Sequence, residues 1–259
     1  MTAILDDTLA NENAIAQLLK AFGLFDIEFD DLSPGEAELG MLVPRESINS
    51  ELFRFNRELS DLDKIVKVFE ELTTGQRRDP KIRSLSSSDL TVLLDMWPVA
   101  GAALAAAVER IAAFYKQTLE IKKLKLETKR LELPDTISDQ LDTEANKIME
   151  TKLVSLRKEL LQIYYGADNG RKNEIETELG FALNKIANKV DRGVHFEFRA
   201  NEPEPAAEGE AEELQANKIR EATRSINEAG RRLLYVEQSH EKILQLPEGD
   251  NNNHKARDT

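Results

Sequence analysis

Residues 98–133 form a stretch bounded by Pro98 and Pro134 with no proline between them. A proline fits the first position of a helix, where its missing N–H costs nothing, and a later one stops the helix. The spacing therefore predicts one helix. At 1.5 Å per residue it would run ~54 Å, longer than a compact domain of this size. Its first half is small and almost uncharged, with Ala100, Ala102, Ala103, Ala105, Ala106 and Ala107. Such a surface lets other elements approach closely. Its second half carries Lys116, Lys122, Lys123, Lys125, Lys129 and Arg130 around Leu119, Ile121, Leu124 and Leu131. That half is expected to project from the globular part or to pack on a partner.

Other segments repeat a helical period. Leu52, Phe55, Leu59, Leu62, Val66 and Phe69 share one stripe and predict a helix over about 48–72. Met149, Leu153, Leu156, Leu160 and Ile163 predict one over about 137–164, and Ile175, Leu179, Ala182, Ile186 and Val190 one over 174–190. A weaker face of Ala14, Leu18, Ala21 and Phe22 predicts a helix over 9–22. The longest pattern is Ile219, Ala222, Ile226, Ala229, Leu233, Val236, His240 and Ile243, alternating steps of three and four. This is coiled-coil spacing, and it predicts a helix over 214–246 ended by Pro247. Its stripe, Ile219, Ile226, Leu233, Val236 and Ile243, is the expected interface for self-association or for docking on the central helix.

Strand signals are fewer. Ile27 and Phe29 alternate with acids, and Ala37, Leu39, Met41 and Val43 alternate beyond Ser33-Pro34-Gly35. Proline and glycine at those positions favour a tight turn, so a hairpin is predicted. Residues 82–94 read as a strand interrupted by a turn or bulge at Ser86-Ser87-Ser88-Asp89, and Val194, Phe196 and Phe198 as a short strand. The expected fold is α+β and predominantly helical: a small hairpin or mixed-sheet module followed by long helices with coiled-coil-like segments. The expected organisation is an α+β module over 1–95 and a long-helix region over 96–200. An acidic disordered linker over 201–213, the amphipathic helix over 214–246 and a disordered tail over 247–259 complete it.

Composition narrows the function classes. The chain has 259 residues, a net charge of −13 and no cysteine. Disulfides, thiolate metal sites and a cysteine nucleophile are excluded, and a reducing compartment is expected. Residues 1–75 carry 16 acids against 6 bases, whereas residues 76–130 carry 11 bases against 6 acids. An acidic chain is a poor general binder of nucleic acid. The basic segment is expected to meet the acidic N-terminal segment of its own or a neighbouring chain, with phosphate or anionic lipid as alternatives. The N-terminus shows neither the basic nor the apolar region of a secretory signal. The uninterrupted apolar run from Met96 to Val108 is shorter than the ~20 residues a spanning helix needs.

An ordered set of short pieces lies between residues 36 and 131: Ala37-Glu38-Leu39-Gly40, Val43-Pro44-Arg45, Phe69-Glu70-Glu71-Leu72-Thr73-Thr74-Gly75, Ile82-Arg83-Ser84-Leu85, Tyr115-Lys116 and Glu120-Ile121-Lys122-Lys123-Leu124. In these pieces the chain resembles a family of uncharacterised bacterial proteins. The resemblance implies an α+β module with a long charged helix, and it brings no activity.

Catalytic patterns are missing from the sequence. It has no phosphate loop, no dinucleotide fingerprint, no HExxH and no nucleophile elbow. Three scattered histidines, His195, His240 and His254, do not make a zinc site, which needs three or four converging ligands. His195 is expected to be solvated. Ser86-Ser87-Ser88-Asp89 lacks a general base nearby and reads as a turn. Trp97 reads as a core anchor. Neither cofactor nor metal is expected. The expected function is a non-enzymatic interaction or assembly protein of the bacterial cytoplasm, a homo-oligomer or a binder of a helical partner. Two alternatives stand beside it: a membrane-surface protein or effector using residues 96–130, and an enzyme with an unrecognised Ser/acidic site.

Overall fold

The computed structural model describes residues 32–86, 90–131, 134–165, 170–205, 210–233 and 243–249, without the side chains of Lys122, Leu126, Thr128, Lys129, Asp135 and residues 210–212. The chain divides into residues 1–33 and a compact unit, residues 34–259. The unit is α+β and mostly helical. Its elements are β1 (Ala37–Leu42), α1 (Leu52–Thr74), β2 (Lys81–Ser86), β3 (Thr91–Met96), α2 (Pro98–Arg130), α3 (Asp135–Tyr164), α4 (Lys172–Asp191), β4 (His195–Ala200) and α5 (Glu210–Leu233).

The four strands form one antiparallel sheet in the order β2-β3-β1-β4. Strand β1 is central, with β3 on one edge and β4 on the other. The hairpin partner predicted for it at Ile27–Phe29 lies outside the described residues, and both edges of β1 are already taken. The 82–94 segment is two strands rather than one interrupted strand. Strands β2 and β3 pair antiparallel, with a register shift between Ile82 and Ser84. Leu90, at positive φ, leads into β3, and Ser87, Ser88 and Asp89 lie outside the described residues. The sheet also crosses the boundary expected at 95/96, because β4 returns to β1 from beyond three helices.

One face of the sheet is apolar and buried. Register aligns Leu39 with Leu94 and Phe198, and Met41 with Val92 and Phe196; all six are at most 5% exposed. The other face is polar, and Glu38 on it is buried beneath Arg199 at 2.6 Å and Arg83 at 3.7 Å. The two sheet edges differ. The outer edge of β4 is closed by Asn227 of α5, whose amide donates to the Ala200 carbonyl and accepts from its N–H, as a neighbouring strand would. The outer edge of β2 carries Lys81 and Arg83, charges that discourage pairing with a further strand.

The Ala-rich half of α2 is buried on nearly all sides, as an all-round apolar helix must be. Ala100, Ala103, Leu104, Ala105, Ala107 and Ile111 are fully buried. Helix α5 lies along this half, with Ile226 beside Gly101 and the Arg232 guanidinium 2.7 Å from Glu109. Gly230 lets α5 press onto β4: a β-carbon there would stand 2.6 Å from the Phe198 carbonyl oxygen.

The C-terminal reading needs correction. The helix predicted over 214–246 begins at Glu210, four residues into the expected linker, and is described to Leu233. Residues 243–249 are not helical and take no regular secondary structure. Ile243 is therefore buried outside the helix, despite its heptad position. The groups that hold this segment are mainly side chains of α3 and α4, which no local pattern reveals. Asn201, also assigned to the linker, prolongs the β1–β4 pairing through its N–H to the Glu36 carbonyl and the Gly35 N–H to its carbonyl.

Glu70 shows what burial costs a carboxylate here. It accepts the Trp97 backbone N–H at 3.1 Å, and burial raises its pKa above the ordinary value. A raised pKa means that the folded state holds the proton more tightly. The stabilisation is thus fullest below the unfolded value near 4.5 and is lost as pH rises through the folded one. Glu70→Gln is expected to remove that part of the pH dependence, read as a flatter profile of melting temperature above pH 4.5.

Candidate interaction site: the α2–α3 arm

Helices α2 and α3 run antiparallel. Arg110 pairs with Glu159 at 2.8 Å, and Lys125, 15 residues further along, pairs with Asp142 at 2.7 Å. Near the start of the arm, Tyr115 is buried and faces Asp191 of α4; burial first, then that carboxylate, raises its pKa. Beyond Tyr115 the cover thins. Of the α2 side chains described over 116–131, only Thr118 and Lys125 are buried. Residues 116–131 therefore form, with the first half of α3, an arm about 24 Å long at 1.5 Å per residue.

The arm is amphipathic without being fully covered. Leu119, Ile121, Ile137, Leu141 and Ile148 are half-buried, while Leu124 is 51% and Leu131 70% exposed. Charge is split between its helices. Residues 116–131 carry six bases and two acids, whereas residues 135–150 carry five acids and one base. The buried Lys125–Asp142 pair fixes the register of one helix against the other.

The basic residues singled out from sequence fall here. Lys116, Lys123 and Arg130 are exposed, Lys123 pairs with Glu120 one turn earlier, and Lys125 is buried. The side chains of Lys122 and Lys129 lie outside the described residues. The stripe on the last helix is placed differently. Ile226 and Leu233 are buried within the unit, Ile219 is half-buried, Ile243 is buried in the non-helical segment, and Val236 lies outside the described residues. Among the described residues one helix, over Pro98–Lys125, is long and apolar enough to cross a membrane, but 67% of its apolar window is buried inside the unit.

Of the Ser/acidic segment only Ser86 is described, exposed at the end of β2; Ser87, Ser88 and Asp89 lie outside the described residues. Among the described residues no cluster of histidine and carboxylates could hold a metal. Of the three histidines only His195 is described, and it is half-buried, so the solvated position expected for it is corrected. Burial lowers its pKa.

Sequence reasoning missed a buried charge cluster between α1 and α4. Lys189 is fully buried and pairs with Glu58, with Asp61 3.5 Å away. Lys185 reaches Asp61 at 2.6 Å, and Arg192 reaches Glu58 at 2.8 Å. The helical spacing of Glu58 and Asp61, and of Lys185, Lys189 and Arg192, was the available signal. The cations answer the carboxylates, so the cluster joins two helices and leaves little room for a metal. No protein-family model, curated protein or solved structure matches the chain.

Proposed function

We propose that this protein is a non-enzymatic assembly protein that self-associates through the α2–α3 arm. The observation that carries the reading is the pair of exposed leucines, Leu124 and Leu131, on an arm whose two helices have opposite charge. A second arm packed antiparallel sets the basic α2 of one copy beside the acidic α3 of the other. The contact is then isologous, the four helices make a bundle, and both copies bury the same leucines. Burying what remains exposed of four leucines contributes about 4–7 kcal/mol before the cost of association, itself about 4–15 kcal/mol. The dimer is therefore expected to be concentration-dependent rather than permanent. Cytoplasmic placement and kinship with the uncharacterised bacterial family belong to the same proposal, and neither assigns a reaction.

The test is the mass in solution of wild type and of Leu124→Glu/Leu131→Glu. The variant is expected to sediment as a monomer where wild type is a dimer. Its folding stability should change by no more than about 0.5 kcal/mol per site, since both positions are exposed. A variant that keeps the wild-type mass contradicts the reading.

A further inference from the structure

Residues 243–249 are held by a dense set of contacts. Asp191 Oδ2 accepts the N–H groups of Ile243 and Leu244, both at 2.7 Å. Asn146 accepts the Gln245 N–H at 2.8 Å and donates to the Ile243 carbonyl at 3.3 Å. Asn188 accepts the Leu246 N–H at 3.1 Å and donates to its carbonyl at 2.9 Å. Asn184 donates to the Pro247 carbonyl at 2.7 Å. Each of these bonds goes to backbone from α3 or α4; beside them, the Glu248 carboxylate accepts from Asn188 at 2.8 Å and lies 3.6 Å from Arg57 of α1.

A side-chain amide bonded to both the N–H and the carbonyl of a residue does what the next strand of a sheet does. Asn188 holds Leu246 in this way, while Asp191 Oδ2 gathers the two consecutive N–H groups of Ile243 and Leu244, as at a turn. Selectivity then comes from what the groove buries: Ile243, Leu244 and Leu246 are at most 4% exposed, whereas Gln245 and Pro247 are exposed. Asp191 and Asn188 are themselves buried, so leaving them without partners would be costly. The groove is thus built to be filled.

We propose that the α3–α4 groove is a receptor site for a non-helical peptide segment, and that residues 243–249 are its built-in ligand. The partner it fits is a chain segment with two adjacent apolar residues, a polar one, a leucine and then proline. Such a segment displaces the chain's own in trans. The tethered copy competes at a high effective concentration, on the order of millimolar for a short linker, so the site is normally closed.

The probe is a fluorescein-labelled peptide of residues 241–249, titrated against the full chain by anisotropy. Leu246→Ala weakens the built-in ligand and leaves the groove intact. Gln245→Pro does so at an exposed position, by removing the N–H that Asn146 accepts. At least one of these variants, checked as folded by circular dichroism, is expected to bind the peptide about tenfold or more tighter than wild type. Adding Asn146→Ala and Asn188→Ala to that variant is expected to abolish the gain. A peptide of the same composition in scrambled order should not bind. Failure of both opened variants to bind better than wild type overturns the proposal, as does binding unaffected by loss of the two asparagines.

Discussion

Lys189→Met is expected to cost about 3–5 kcal/mol of folding stability, the scale of a buried ion pair that loses one partner. Lys189 is fully buried against Glu58 and Asp61, which are 3% and 2% exposed. Its removal leaves Arg192 to hold Glu58 and Lys185 to hold Asp61, with a desolvated vacancy between the two carboxylates. Adding Glu58→Gln to the same chain removes one of the two carboxylates that Lys189 served. The double variant should therefore lose less than the sum of the two single losses. Urea denaturation of the three variants reads this directly. A loss below about 1 kcal/mol for Lys189→Met would mean that the pair behaves as a solvated surface contact.

Ile226→Glu/Leu233→Glu is expected to detach α5 from the unit. Both side chains are buried, at 1% and 8% exposure. Each substitution loses apolar burial and places a carboxylate in the apolar core. Removing a large core side chain alone costs about 2–5 kcal/mol, and desolvating a carboxylate adds to that. Two such sites on one helix exceed what its remaining contacts along α2 and β4 can offset. A fall in melting temperature, with new protease cleavage within α5, is the expected result. A variant that melts as wild type does would show that the stripe has no structural role.

Where the sequence speaks through local chemistry, the structure follows it closely. Pro98 opens α2, Pro134 precedes α3, and Gly75 ends α1 at positive φ. Of the α1 stripe, Leu62, Val66 and Phe69 are buried and Phe55 and Leu59 half-buried, whereas Leu52 in the first turn is 81% exposed. Misreadings came where distant residues decide. Residues 82–94 have enough apolar character for one strand, and only the pairing of β2 with β3 shows two. Ile243 sits on a heptad by spacing. Yet Asp191 and Asn146, on two other helices, offer its backbone a non-helical alternative. The buried charge cluster has the same origin, since helical spacing places Glu58 and Asp61 on one face but does not say that α4 covers it. The candidate arm was legible as a basic, sparsely apolar half-helix. Its acidic counterpart on α3 became visible only once the two helices were seen to run antiparallel.

The chain has no cysteine, so Lys123→Cys carries a single nitroxide on the arm, and any dipolar coupling between labels must arise between copies. Pulsed electron paramagnetic resonance on that labelled chain tests self-association through the arm most directly. The account predicts a defined inter-label distance that disappears when Leu124→Glu and Leu131→Glu are added. A signal that decays without dipolar modulation at concentrations where the chain sediments as a dimer would place the interface elsewhere and contradict it.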